Sequence, residues 1–174
     1  MIGAQESQEN GCRESHNVTL NINSRQYRLV VDSNWTLSDF LRNRLALTAT
    51  KRACDYGSCG SCAVLIDGVD VYSCSILAVQ AEGKEILTIE ALGTSASLHP
   101  LQKSFARSYA AQSGWRTPGM INVRKGLARS RAQSDGRRSE NRSFRRALPL
   151  HMNQYEVDLS RTLVRRALLS LSAS

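Results

Sequence analysis

Residues 51–74 read KRACDYGSCGSCAVLIDGVDVYSC, and the reading of the chain turns on their four cysteines. Cys54, Cys59 and Cys62 follow at Cys-x4-Cys-x2-Cys spacing, and Cys74 comes after eleven intervening residues. This is the ligand spacing of a plant-type [2Fe-2S] centre, for which four thiolates are a complete set. Three sulfurs drawn from so short a stretch converge only if the backbone wraps tightly. Gly57 and Gly60 supply that wrapping, since glycine takes positive φ without a Cβ penalty. They also leave N–H groups free to point at sulfur and tune its charge. The fourth thiol returns on a hairpin: Ala63–Ile66 leads out, Asp67-Gly68 makes the turn, and Val69–Tyr72 leads back to Cys74.

Other chemistries also use cysteine. Zinc sites favour Cys-x2-Cys pairs at both ends, with histidine as an alternative ligand; here the x4 spacing breaks the pattern and no histidine lies nearby. A disulfide framework requires export. The polar, mildly acidic start MIGAQESQENGCRESHN has no basic region followed by an apolar one, so it reads as a loose tail over residues 1–16 and not as a signal. Inert buried cysteines are the plain alternative, and four at this spacing with interleaved glycines weigh against it. Free thiols without a signal predict a reducing, cytoplasmic setting. No apolar run approaches the roughly 20 residues of a membrane span.

Charge divides the chain. Residues 1–100 hold 8 Lys/Arg against 11 Asp/Glu, a net of −3, and residues 101–174 hold 15 against 4, a net of +11. The basic stretches around Arg124–Arg131 and Arg137–Arg146 lack aromatic interleaving and any nucleic-acid motif. They read as a cationic face for an acidic protein partner or as partly disordered, with no nucleic acid expected.

Patterning predicts two regions. Val18–Ile22 alternates as a half-buried strand, Asn23-Ser24 turns, and Tyr27–Val31 returns. Thr36 opens a helix to about Leu45, with Asp39 completing a capping-box pattern. After the cysteine loop and its hairpin, Lys84–Glu90 reads as a last strand. Residues 17–92 thus form a small α+β domain, a sheet packed on one helix. Residues 93–97 read as a linker. Residues 97–174 turn helical: Leu98 to Tyr109 at three- and four-residue steps, a helix with Pro118 in its first turn, an Arg/Ser-rich stretch over 129–146, and a last helix from about Ser160.

From Lys51 to Ile121 the sequence resembles the small iron–sulfur subunit of the molybdenum hydroxylases, the group of xanthine dehydrogenase, aldehyde oxidoreductase and aerobic carbon monoxide dehydrogenase. CDYGSCGSCAVLIDGVDVYSC and TIEAL look like that family's first domain, and HPLQKSF like the start of its second. QSGWRTPGMI stands where the family has Q-C-G-x-C-T-P-G-M-I. The resemblance implies a β-grasp, plant-type ferredoxin-like domain followed by a small helical bundle. It implies Cys54, Cys59, Cys62 and Cys74 as cluster ligands, Gln112 as a contact to the pterin, a large molybdopterin-binding subunit, and an FAD-carrying subunit as partners.

The departure matters as much. The family's helical domain holds a second [2Fe-2S] cluster on the two cysteines of Q-C-G-x-C and two of a later C-R-C-T-G-Y. Here Ser113 and Arg116 occupy the first two positions, and LHMNQY, without cysteine, stands nearest the second motif. Of five cysteines, four belong to the first cluster and only Cys12 remains, an ordinary exposed thiol. The expectation is therefore an electron-transfer subunit with one cluster instead of two and no active site of its own. A docking or scaffolding subunit with a structural or vestigial cluster is the alternative. The missing relay is explained by another electron route, an altered partner, a helical domain kept for docking, or a decaying gene. Arg116 reads as a replacement for the lost cluster or as drift, and His16, His99 and His151 as capping or surface residues, not ligands.

Overall fold

The computed structural model describes residues 14–109 and 114–131. Its centre is a five-stranded sheet of order β2-β1-β5-β3-β4. Strands β1 (Ser15–Ile22) and β2 (Arg25–Asp32) pair antiparallel about Asn23 and Ser24, whose φ of 54° and 63° give the left-handed pair a tight hairpin needs. Strands β3 (Ala63–Ile66) and β4 (Val69–Tyr72) form the second hairpin, again on two left-handed residues, Asp67 and Gly68. Strand β5 (Glu85–Leu87) joins the hairpins, parallel to β1 and antiparallel to β3.

One layer of apolar side chains packs under this sheet. Val18, Leu20, Ile22, Val31, Val64, Ile66 and Ile86 meet Leu37, Phe40 and Leu41 from the segment that crosses it. That segment begins at Thr36, whose Oγ1 accepts from Asp39 N–H at 3.1 Å and donates to the Asp39 carboxylate at 2.6 Å. It runs as a short α turn, α1 (Leu37–Asp39), continued by a π turn over Phe40–Arg44. The expected helix is therefore present in place but wider in its second half, which brings adjacent Phe40 and Leu41, both fully buried, closer to one face. Left-handed Ala46 ends it.

Two further predicted spans are shortened. The strand expected over Lys84–Glu90 stops at Leu87, because Asn23 captures the next residue: its Oδ1 accepts from Thr88 N–H and its Nδ2 donates to Thr88 Oγ1, both at 2.9 Å. Ile89–Ala91 then makes a 3-10 turn. The helix expected from Leu98 to Tyr109 is α2 (Pro100–Arg107). His99 caps it in extended backbone before the proline, as the residue ahead of proline prefers, and left-handed Tyr109 stops it. The stretch read as a linker is a turn, with Thr94 and Ser97 exchanging backbone hydrogen bonds at 3.1 Å.

Helix α3 (Thr117–Arg131) carries Pro118 in its first turn, as predicted. Ile121 joins Leu101, Phe105 and Ile89 in a second apolar cluster, and Val123 packs on Ala63. Gly126 lets the helix lie on the second hairpin: a Cβ there would stand 2.8 Å from Leu65 Cδ2. The expected helix from Ser160, the Arg/Ser-rich stretch and the tail lie outside the described residues. No helix among the described residues is long and apolar enough to cross a membrane.

Candidate metal centre

The four cysteines arrive from three places. Cys54 and Cys59 sit on the loop between α1 and β3, Cys62 immediately precedes β3, and Cys74 lies in a 3-10 turn (Ser73–Ser75) after β4. The hairpin closes the distance. Ser73 Oγ donates to Cys62 O at 2.7 Å, and Ser73 N–H reaches the same carbonyl at 3.3 Å. On the far side, Leu37 N–H bonds Ile76 O at 2.7 Å and Ala78 N–H bonds Trp35 O at 2.9 Å, which ties the Cys74 turn to the start of α1. The base of the loop is closed by Lys51 N–H on Ser61 O at 3.3 Å.

Loop and hairpin bring the cysteines together as two pairs: Cys59 N–H lies 3.3 Å from Cys54 Sγ, and Ser73, whose Oγ donates to Cys62 O, sets Cys74 beside Cys62. All four are free of disulfides. Among the described residues no three His, Cys, Asp or Glu side chains converge on one point as a single ion would require. Two pairs of thiols suit a two-iron centre, which Cys54, Cys59, Cys62 and Cys74 would hold.

The pairs sit in different environments. Burial pushes the Cys54 thiol up, but N–H groups of Cys59, Tyr56 and Ser58, with the Cys59 thiol, outweigh it and bring it down to about 7. Two of those contacts, from Ser58 N–H and Cys59 N–H to Cys54 Sγ, measure 3.3 Å. They are the loop's answer to negative charge on sulfur, the nest expected from its left-handed residues Asp55, Gly57 and Gly60. Cys62 is only 3% exposed, and burial, with Cys74 beside it, pushes its thiol up to about 12 against the pull of Cys74 N–H and Ser73. Hydroxyls flank the remaining sulfurs: Ser61 Oγ is 3.4 Å from Cys59 Sγ and Ser75 Oγ 3.6 Å from Cys74 Sγ.

Three residues that the sequence did not single out complete the frame. Arg52 pairs with Asp39 of α1 and, in the loop itself, with Asp55, fastening left-handed Asp55 in place. Trp115 Nε1 donates to Arg52 O at 3.1 Å, while Lys51 Nζ lies 5.4 Å from the Trp115 ring centre. Asn122, buried on α3, donates from Nδ2 to Ala63 O at 3.0 Å. An amide amid the apolar run Met120, Ile121 and Val123 is the one signal that could have flagged the last. Of the histidines, His16 bonds Ser33 Oγ at 2.9 Å and His99 caps α2, so neither joins the cysteines. Arg116 stands just before α3, whereas Gln112, Ser113, Cys12 and His151 lie outside the described residues.

A ferredoxin-like sheet with four cysteines at its loop and hairpin, followed by helices, defines an iron–sulfur protein. The family described as a 2Fe-2S iron-sulfur cluster binding domain matches residues 20–88, and a second, described as a [2Fe-2S] binding domain, matches 88–151. The beta subunit of the 6-hydroxypseudooxynicotine dehydrogenase complex of Paenarthrobacter nicotinovorans is 43% identical over 110 residues, which are 63% of this chain and 69% of that protein. The gamma subunit of caffeine dehydrogenase of Pseudomonas sp. (strain CBB1) is 43% identical over 107 residues, 62% of this chain and 64% of that one. The crystal structure of quinoline 2-oxidoreductase from Pseudomonas putida 86 superposes with a TM-score of 0.71 at 34% identity, covering 88% of this chain and 96% of that chain. The chain belongs to the family of small iron–sulfur subunits of the molybdenum hydroxylases, and so forms part of an oxidoreductase. The match to the second domain runs through a stretch without cysteine, for none follows Cys74.

Proposed function

We propose that Cys54, Cys59, Cys62 and Cys74 hold one [2Fe-2S] cluster, and that this chain is the electron-transfer subunit of its complex, with no active site of its own. The observation that carries the reading is that the loop and the β3–β4 hairpin bring the four cysteines together as two pairs. When bound, such a cluster supplies one-electron transfer. The chain's own part is to bind and to tune: N–H groups on Cys54 Sγ, and the Ser75 hydroxyl where it donates to Cys74 Sγ, stabilise charge on sulfur.

A single cluster follows from the cysteine count, since Cys12 alone is left over. By family likeness the partners are a large molybdopterin-binding subunit, which Gln112 would approach at the pterin, and an FAD subunit, in the cytoplasm. The helical region, without its own relay, lengthens the step between molybdenum and this cluster.

Metal analysis of the purified complex should give about two irons in this chain, and Cys59→Ser should abolish its electron paramagnetic resonance (EPR) signal and stop turnover. Mixing with substrate should reduce the cluster within one turnover. A cluster that substrate never reduces, or full turnover in Cys59→Ser, would instead make the chain a scaffolding subunit.

A further inference from the structure

The segment that opens at Trp115 meets the cysteine loop at four backbone carbonyls. Trp115 Nε1 holds Arg52 O at 3.1 Å. Gly119 lies so close against Gly60 O that a Cβ would collide with it, and the same Cβ would stand 3.2 Å from Ser61 O. Asn122 Nδ2 holds Ala63 O at 3.0 Å. These carbonyls stand two residues before Cys54, between Cys59 and Cys62, and directly after Cys62. Positions 115, 119 and 122 follow at steps of four and three, so one side of the helix and its lead-in faces the loop.

Asn122 is poorly suited to a purely structural place. It is 1% exposed, its chain neighbours are apolar, and its Oδ1 has no partner among the described residues. A buried amide oxygen left unpaired is destabilising. What the residue provides is the bond to Ala63 O. Because peptides are planar and no described peptide is cis, each held carbonyl turns the following N–H the opposite way. Trp115 thereby sets the Arg52–Ala53 peptide, next to Cys54, and Asn122 the Ala63–Val64 peptide, directly after Cys62. A cluster's potential depends on dipoles and hydrogen bonds around its sulfurs and on its exposure.

We propose that Trp115 and Asn122 are positioning residues for the cluster, and that residues 114–126 form a clamp fixing the loop's peptide orientation and hence the cluster's potential and retention. The proposal rests on the four cysteines being the ligands. It gives the helical segment, which has no cysteine, a task for the remaining cluster.

The test uses the full chain with its cluster reconstituted, as wild type, Asn122→Leu and Trp115→Phe. The leucine is close in volume and makes no hydrogen bond. The phenylalanine keeps a ring and loses the N–H at a side chain 48% exposed, where the fold tolerates the change whatever Asn122→Leu does. Loss of one bond worth about 1 kcal/mol predicts roughly fivefold faster iron release to a chelator. It also predicts at least about a threefold change in the ratio of reduced to oxidised cluster at fixed potential, about 30 mV at 59 mV per tenfold. Variants with wild-type release rate, EPR spectrum and potential would overturn the clamp alone. A wild-type chain that takes up no two-iron cluster would overturn the reading of the cysteines, and the clamp with it.

Discussion

At the scale of single residues, the site depends on positions where only small side chains fit. Gly57 has φ +75°, and a Cβ on it would stand 2.6 Å from Ser75 Oγ, the hydroxyl beside Cys74. Two costs are combined there, left-handed backbone for a residue with a Cβ and displacement of a group next to a ligand. Gly83 separates them, since its φ is +72° and a Cβ there would meet nothing within 4 Å. Gly83→Ala should lower stability by about 1–2 kcal/mol, the left-handed penalty, and leave cluster content unchanged. Gly57→Ala should lose at least as much and also bind less iron, read by chemical denaturation and metal analysis side by side. Equal iron content in the two variants would show that the Ser75 contact is irrelevant to the site. Arg52 illustrates the opposite limit: its guanidinium is 40% exposed, so its pairs with Asp39 and Asp55 shape the loop more than they stabilise the fold.

At the scale of elements, α2 carries a built-in pH dependence. His99 Nδ1 accepts from Leu101 N–H at 3.2 Å, so the neutral ring keeps its proton on Nε2, which faces Lys125 Nζ at 3.4 Å. Burial first, and Lys125 second, hold its pKa below the usual 6.5. A proton on Nδ1 would remove the cap and set a second charge beside Lys125. The stabilisation from neutral His99 is therefore complete above 6.5 and is lost as pH falls through the lower folded value. Asparagine caps without titrating. Thermal melts at pH 7.5 and 5.5 should show a larger fall in Tm for wild type than for His99→Asn, and parallel falls would contradict the assignment. This cap was legible only in outline: HPLQKSF marks a helix start by its proline, but nothing local shows which ring nitrogen accepts or that Lys125 lies opposite. The hairpins were legible because Asn23-Ser24 and Asp67-Gly68 are local turn signals. The end of β5 was not, because the residue that captures Thr88 is Asn23, 65 positions away. The cysteine spacing exposed the candidate ligands, while the clamp stayed hidden, since Gly119 and Asn122 look like ordinary helix residues until the loop is seen against them.

At the scale of the whole molecule, charge is the property that no single element explains. A net of −3 over residues 1–100 and +11 over 101–174 makes the chain a dipole of sequence, with the cysteine loop in the acidic part and the helical region basic. Like charges gathered in this way repel one another, which weighs against compactness and favours association with an oppositely charged surface. Steering of this kind acts over about 10 Å at 0.1 M salt and about 3 Å at 1 M. If the basic part docks an acidic face of the partner subunits, the association rate should fall about tenfold or more between 0.05 and 0.5 M salt, while the dissociation rate changes little. Replacing Arg137, Arg138, Arg145 and Arg146 with serine should slow association at low salt and flatten that dependence, with iron content unchanged because none of the four is a candidate ligand. Stopped-flow mixing with the isolated partner subunits measures both rates. Association indifferent to salt and to the four arginines would mean that docking runs through the neutral surfaces, and would leave the basic region without a role in assembly.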